Sequence, residues 1–529
     1  MSAVATRVAT SGAGVNPWLV AILVAFASFM EVMDSTIANV VLPYIAGDMG
    51  VSTDEASWVV TTYLVSNSIS LTASSFLAER LGRKAFFLTC LGLFTLSSAL
   101  CAQAWNLDSL LIFRLLQGLA GGGMVPVAQS ILADTFPPAK RGQAFAVFGV
   151  AVVVAPVIGP TLGGWLADTA TWRWCFVINV PTGLLAMGLG ALLLQDPEGT
   201  AEGRTRARRA GFDVVGFLLV ATFLGALELM LDRGLDDDWF GSSFIVGMAI
   251  VCTVAFASMI PWELNHRNPA VDLRMLGNRH FGTCFVIMLM TGAILLGNIQ
   301  YVSLLVQEEL GYTATLAGLV LSPGGLVTMA MMILVGRLSG SVQPKYLIMA
   351  GGLLLAMSAY DLTQVYGGLS FWFLVRSRIL MGVGQPLFFL PVMTAAFALI
   401  PRDKTDQASA MINAARNIGG SIGIALLSNV VAHREQFHQS RLVEHVIPSL
   451  APYQTTLQRA TDYFLAQGSL VSQAKQQAFA WIAGQVQTQA SYMAFTDAFW
   501  MLTLIPLAGA LLALTLRKVP LGGDGPAIG

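Results

Sequence analysis

The segment RLLQGLAGGGMVPVAQSILADTFPPAKRGQAFAVFGVAVVVAPVIG (Arg114–Gly159) returns 264 residues later as RILMGVGQPLFFLPVMTAAFALIPRDKTDQASAMINAARNIGGSIG (Arg378–Gly423). Eleven of the 46 positions are identical, against roughly 10% expected from a biased composition. The matches include Arg114/Arg378, Gly118/Gly382, Pro137/Pro401, Lys140/Lys404, Gln143/Gln407 and Gly159/Gly423, and the same offset pairs Asp34 with Asn298. The chain is therefore two related halves.

Water is not its main solvent. Its 529 residues are 55% hydrophobic and 11% charged, with mean hydropathy +0.68, where soluble domains carry about a quarter charged residues. Apolar runs of a length that crosses a roughly 30 Å hydrocarbon core as helix cover residues 18–44, 57–78, 85–104, 109–133, 143–167, 174–194, 213–233, 241–262, 281–306, 313–337, 345–366, 371–399, 407–432 and 495–516. These fourteen spans predict an all-α polytopic membrane protein. The first is too long and, with Glu31 and Asp34, too acidic for a cleaved signal peptide. Cys90, Cys101, Cys175, Cys252 and Cys284 stand singly in apolar stretches, the pattern of small hydrophobes rather than of a metal site or disulfide framework.

An even number of spans puts both termini on one side. Nineteen Lys and Arg fall on that side and six on the other, four of those six in one long loop, so the positive-inside rule predicts cytoplasmic termini. The repeat offset covers eight spans rather than six. Two six-helix halves (1–194 and 281–517) therefore flank two inserted helices (213–262), reached through a basic linker at 195–212. That linker reads as a solvated topogenic signal, with contact to anionic lipid the alternative. The run Asp236–Asp238 reads as a solvated charge patch.

SFLAERLGRKAFFL (Ser75–Leu88) resembles the cytoplasmic loop signature of the major facilitator superfamily, G-x-L-A-D-R-x-G-R-K, with Ser75 in place of glycine and Glu79 in place of aspartate. The resemblance implies a gate latch formed by Glu79, Arg80, Gly82, Arg83 and Lys84, and GRLSGSVQPK (Gly336–Lys345) is a degenerate second copy. Arg114-x-x-Gln117-Gly118 is similar to the second signature of the superfamily, which implies a buried arginine in proton coupling; tying helices together through carbonyls is the structural alternative. APVIGPTLGG (Ala155–Gly164) resembles the antiporter signature, in which small residues such as Gly159, Gly163 and Gly164 permit close helix approach and Pro160 bends the helix.

FMEVMDSTIANVVLP (Phe29–Pro43) resembles the first-span signature of fourteen-helix drug:proton antiporters, with Val41 in place of alanine and Glu31 where a neutral amide is expected. WRWCFVINVPTG (Trp172–Gly183), LDRGLDDDWF (Leu231–Phe240) and NAARNIGGSIG (Asn413–Gly423) extend the likeness to EmrB-type multidrug exporters over nearly the whole chain. The resemblance implies the major facilitator fold and proton-driven export of hydrophobic drugs from the bacterial inner membrane, without a cofactor. It also implies a periplasmic adaptor and an outer-membrane channel as partners.

Glu31 and Asp34 lie three apart on one helical face, and two carboxylates in a low dielectric cannot both carry charge cheaply, a property that suits proton exchange. The alternative is that Asp34 only pairs with Arg114. Arg416 with Asn413 and Asn417, and Asn298 with Tyr301, place polar groups on the thirteenth and ninth spans; the corresponding helices line the central cavity of the resembled fold. Tyr63, Asn67, Phe388 and Phe389 are candidate drug contacts, with simple packing as the alternative.

No phosphate-binding G-x-x-x-x-G-K-[ST] occurs, so an ATP motor on this chain is unsupported, and a net charge of −1 gives no indication of nucleic acid. Arg114 and Arg416 keep an exporter of one organic acid as a second reading. The repeat and gate motif disfavour a third, a membrane enzyme or sensor. The loop 433–494 carries Phe479, Ile482 and Val486 at helical spacing and a second apolar group at Tyr463 and Phe464. It predicts a periplasmic helical pair that docks a partner or folds back on the transporter.

Overall fold

A computed structural model describes residues 16–195, 213–267, 269–366, 368–401 and 404–519. Nearly all of the linker 195–212, with its arginines, lies outside the described residues, as do the two chain ends. The first half holds α1 (Pro17–Val40), α2 (Leu42–Met49), α3 (Thr53–Leu81), α4 (Arg83–Ala102), α5 (Leu107–Gly121), α6 (Met124–Thr135), α7 (Pro138–Thr169), α8 (Trp174–Val177) and α9 (Asn179–Leu193). The inserted pair is α10 (Val214–Arg233) and α11 (Ser243–Asn265). The second half holds α12 (Arg279–Leu304), α13 (Ala314–Leu338), α14 (Pro344–Asp361), α15 (Phe371–Ala398), α16 (Thr405–His445), α17 (Ala451–Ala466) and α18 (Val471–Ala513).

Leu107–Thr135 and Trp174–Leu193 each cross as one span, and the helices follow the six, two, six order of the repeat. Among the described residues, eleven helices are long and apolar enough to cross a membrane, and α7 makes a twelfth despite a 46° bend between Lys140–Pro156 and Thr161–Thr169, next to Pro156, which lacks a backbone donor. Among the described residues, α3 and α16 fall short on apolarity. They carry Tyr63, Asn67, Asn413, Arg416 and Asn417, polar groups a span tolerates where it faces protein or a cavity. All five cysteines are buried and free.

Within each half the first helix packs on the fifth, α1 on α7 and α12 on α16. Missing side chains set the distance. A Cβ on Gly159 of α7 would collide with the Thr36 hydroxyl of α1, and one on the repeat-related Gly423 would sit 2.5 Å from Ala293 Cα. Gly163 has more room, 3.3 Å from Ile37, and Gly164 more again, 3.9 Å from Val40. The halves meet along two seams, α7 with α13 and α3 with α16, and α10 lies against the second of these with α11 packed on its outer side.

The segment 433–494 is mostly helical and continuous with the helices on either side of it. Span helix α16 runs on unbroken for 41 residues and α18 for 43, so both continue past a bilayer core, and α17 packs back on α18. Asp497 clamps the two rods, accepting from Arg434 Nε at 2.5 Å and pairing with His438 Nε2 at 2.8 Å. The buried stripe is Leu457, Ala460 and Ala478, with Phe464 and Ile482 against it. Phe479 and Tyr463, read as stripe residues in the sequence, are 43% and 59% exposed. Alanine, not phenylalanine, lets two helices approach this closely.

The graded space at the α1–α7 contact gives a test. Gly159→Ala should destabilise the purified protein by about 1–3 kcal/mol, the usual cost of overpacking, whereas Gly164→Ala should melt as wild type. Equal melting temperatures for the two variants would contradict the packing.

Candidate transport site

Asp34, 1% exposed on α1, is the centre of a buried network. Its Oδ2 accepts from Arg114 Nη1 at 2.7 Å. Its Oδ1 accepts from Gln117 Nε2 at 3.0 Å and Asn179 Nδ2 at 2.5 Å. Arg114 is wholly buried. It donates from Nε to the Val59 carbonyl at 3.2 Å and from Nη1 to Gln117 Oε1 at 2.9 Å, and its guanidinium lies 4.2 Å from the centre of the Tyr63 ring. Arg114 and Gln117 converge because three residues on α5 is nearly one turn. Asn179, whose amide also donates to Ser98 at 3.1 Å, is a member that sequence reasoning missed; it stands inside the Trp172–Gly183 motif, which was its signal.

Tyr63 links this network to a second carboxylate. Its hydroxyl donates to Glu31 Oε1 at 3.4 Å, and Asn67 Nδ2 donates to the same oxygen at 3.0 Å. Glu31 lines a central cavity of about 270 Å³ together with Tyr63, Asn67, Arg416 and Asn417. Five candidates are elsewhere, among them Asn298 beside Arg378. Asn413 exchanges hydrogen bonds with Gln129 at 2.6 and 3.2 Å in the contact between halves, Tyr301 donates to Ser428 at 2.6 Å, and Phe388 and Phe389 are packed in the core. Arg114 does not line the cavity either, because Asp34 and the Tyr63 ring enclose it. That weakens the cavity-arginine argument for an organic-acid exporter.

The second half keeps the arginine without the carboxylate. Arg378, 3% exposed, takes Asn298 Oδ1 as its partner, the amide standing where the first half has Asp34. Its Nε and Nη2 have no hydrogen-bond partner among the described residues. One half thus holds a neutralised guanidinium and the other an uncompensated one.

The gate motif closes one end. Arg83 pairs with Asp134 at the end of α6 and, through Nε at 2.9 and 3.1 Å, with Asp406 at the start of α16 in the opposite half. Gly82, at φ +91, makes the tight α3–α4 link that aims Arg83, in a backbone region other residues rarely adopt. Lys84 Nζ donates to the Ala191 carbonyl at 2.7 Å, Arg80 lies over Phe76, and Glu79 sits half-buried in the last turn of α3. Behind the latch, Ser409 donates to the Pro126 carbonyl at 2.8 Å and Phe145 stacks on Phe397 across the halves. These contacts join the two halves on this face.

A cavity lined by two duplicated six-helix halves, backed by a buried polar network in the first and with Arg83 bridging the halves at one end, is the layout of a carrier rather than a catalyst. The Major Facilitator Superfamily profile matches residues 24–424, and the chain belongs to that superfamily. Within it the chain is a member of the fourteen-helix EmrB-like family of efflux transporters: it is 34% identical to the "Multidrug export protein EmrB" of Haemophilus influenzae over 95% of this chain and 96% of that one. The EmrB of Escherichia coli K12 is also 34% identical, over 96% of each chain. The "Fatty acid resistance protein FarB" of Neisseria gonorrhoeae is 35% identical over 84% and 85%. The proton:xylose symporter XylE shares the fold at TM-score 0.58, with 13% identity, covering 92% of this chain and 94% of that one.

Two outcomes follow from the geometry. Asp34→Ala should cost about 3–5 kcal/mol by stranding a buried guanidinium, whereas Asp34→Asn should fold, since Arg378 with Asn298 shows that the fold holds an arginine–amide pair. Melting temperatures of the two purified variants check this. Arg83→Gln should raise the labelling rate of a cysteine placed at Ser409, in an otherwise cysteine-free protein, by several-fold; an unchanged rate would contradict the latch.

Proposed function

We propose that the chain is a proton-coupled multidrug antiporter of the bacterial inner membrane, with both termini cytoplasmic, that exports hydrophobic small molecules as the pump of a tripartite system. The observation that carries the coupling is the buried link from Asp34 through Arg114 and Tyr63 to Glu31 in the cavity. A proton on Asp34 cancels the charge that holds the guanidinium, and any shift of Arg114 moves the Tyr63 ring beneath it. That ring carries the hydroxyl bonded to Glu31, so the protonation state of Asp34 is felt where a substrate sits. Glu31 is the cavity's own carboxylate and the second proton or cation site.

The Arg83 face is assigned to the cytoplasm by the charge bias of the loops. The latched state then has its cavity turned outward, the state in which drug leaves and protons enter. The rods α16 and α18 with α17 project on the outer face and offer a surface for a periplasmic adaptor. The names of the EmrB and FarB relatives support drug or fatty-acid cargo, and the helical projection of α16, α17 and α18 supports the assembly.

Everted membrane vesicles given an imposed pH gradient test direction and coupling together. Wild-type protein should accumulate a fluorescent drug while the gradient lasts, Asp34→Asn should fall to the empty-vesicle level, and Glu31→Gln should transport with a shifted pH dependence. Wild-type transport by Asp34→Asn would refute the coupling. Replacing residues 446–470 by a short Gly/Ser linker should abolish resistance in intact two-membrane cells and leave vesicle transport unchanged; equal loss in both would refute adaptor docking.

A further inference from the structure

The inserted helix α10 is not a spacer. Glu228 and Asp232 lie one turn apart on it, Asp236 follows just past its end, and all three line the cavity that holds Glu31, spanning about 12 Å at 1.5 Å per residue. Exposure falls from mouth to floor: the Asp236 side chain is 63% exposed, Asp232 is exposed, and Glu228 and Glu31 are 7% and 8% exposed. Glu228 accepts from Ser421 at 2.8 and 3.0 Å and Asp232 accepts from the Thr61 hydroxyl, so α3 and α16 hold both carboxylates in place. At the floor, Glu31 Oε2 is buried with no hydrogen-bond donor among the described residues, although it opens on the same cavity.

The bases do not balance these acids. Among the described lining residues Arg416 is the single cation. Arg233 turns away to Ser57 at 2.9 Å and to the Trp58 ring at 4.4 Å, reaching Asp236 only at 3.7 Å. Four carboxylates thus face one guanidinium. Between them the walls are apolar, with Leu64, Leu231 and Leu295. Trp239, held at φ +44 after Asp238 at φ +58, stands at the mouth, and an indole face attracts a cation.

We propose that this cavity is a receptor for amphiphilic organic cations, with Glu228, Asp232 and Glu31 as its charge-recognising groups; the proposal rests on the transport reading above. A small hydrated metal ion has no use for leucine and indole walls. An organic anion would meet four carboxylates against the single lining guanidinium of Arg416. A cation whose charge is spread over an apolar body loses little hydration on entry and supplies the partner that Glu31 Oε2 lacks.

Tetraphenylphosphonium and tetraphenylborate have one shape and opposite charge, which makes them the probes. With full-length protein in zwitterionic nanodiscs, and empty nanodiscs subtracted for partitioning, the phosphonium should bind at least about tenfold more tightly than the borate. Glu228→Gln and Asp232→Asn should each weaken the phosphonium about three- to tenfold without weakening the borate, and the double variant should lose the preference. Equal or stronger borate binding by wild type would overturn the proposal. So would an unchanged preference in a double variant that melts as wild type. Should that variant not fold, the two single variants decide it: a weakened phosphonium with unchanged borate in either supports the proposal, and no change in both overturns it. Binding needs no gradient, so failure of the transport reading shows separately, as no pH-driven uptake in proteoliposomes while the charge preference stands.

Discussion

A guanidinium and a carboxylate at full burial in a membrane protein constrain everything around them. Neither Asp34 nor Arg114 could stay charged there alone, and the remaining hydrogen-bonding capacity of the pair recruits Gln117, Asn179, the Val59 carbonyl and the Tyr63 ring. Those partners come from α3, α5 and α9 and tie them to α1, which carries Asp34, as one body. A change of charge at Asp34 is therefore a change in how the first half is held together. That is the physical requirement for a carrier in which an ion and a cargo influence each other without touching.

The duplication shows what was kept and what was released. Both halves keep the close helix contact that Gly159 and Gly423 permit and the arginine on the fourth span. The first half keeps the counter-charge; the second replaces it with Asn298. The acid–base pair lies in one half only, and Arg83 and Asp406 make a contact from that half to the other. The inserted pair adds a third element, because α10 lies against the seam between α3 and α16 and brings Glu228 and Asp232 to the cavity.

Much of this was legible in the sequence. Helix number, the six-two-six order and the burial of Arg114 followed from hydropathy and the 264-residue offset, since a span must be apolar and an arginine within one must face inward. Residues that act across the fold were not legible. Asn179, Asp134, Asp406 and Gln129 lie far in sequence from their partners, and an amide or an acid at a helix end has many bland readings. Glu228 and Asp232 sat in a segment set apart as inserted, so nothing connected them with Glu31. Asn298, Tyr301 and Asn413 had cavity-like spacing, yet each is absorbed by a helix contact. For the outer rods, periodicity found the helices and missed the face, because large aromatic residues outweighed the alanines that make the contact.

The central claim is that cargo and proton compete through the Asp34–Arg114 pair. Proton release on drug binding, followed with a pH dye and purified protein in weakly buffered solution, measures that competition without a membrane gradient. Wild-type protein should release protons as a transported drug saturates the site, and Asp34→Asn should bind the drug with that release lost or sharply reduced. The same release from Asp34→Asn as from wild type would place the exchanging proton elsewhere and contradict the account.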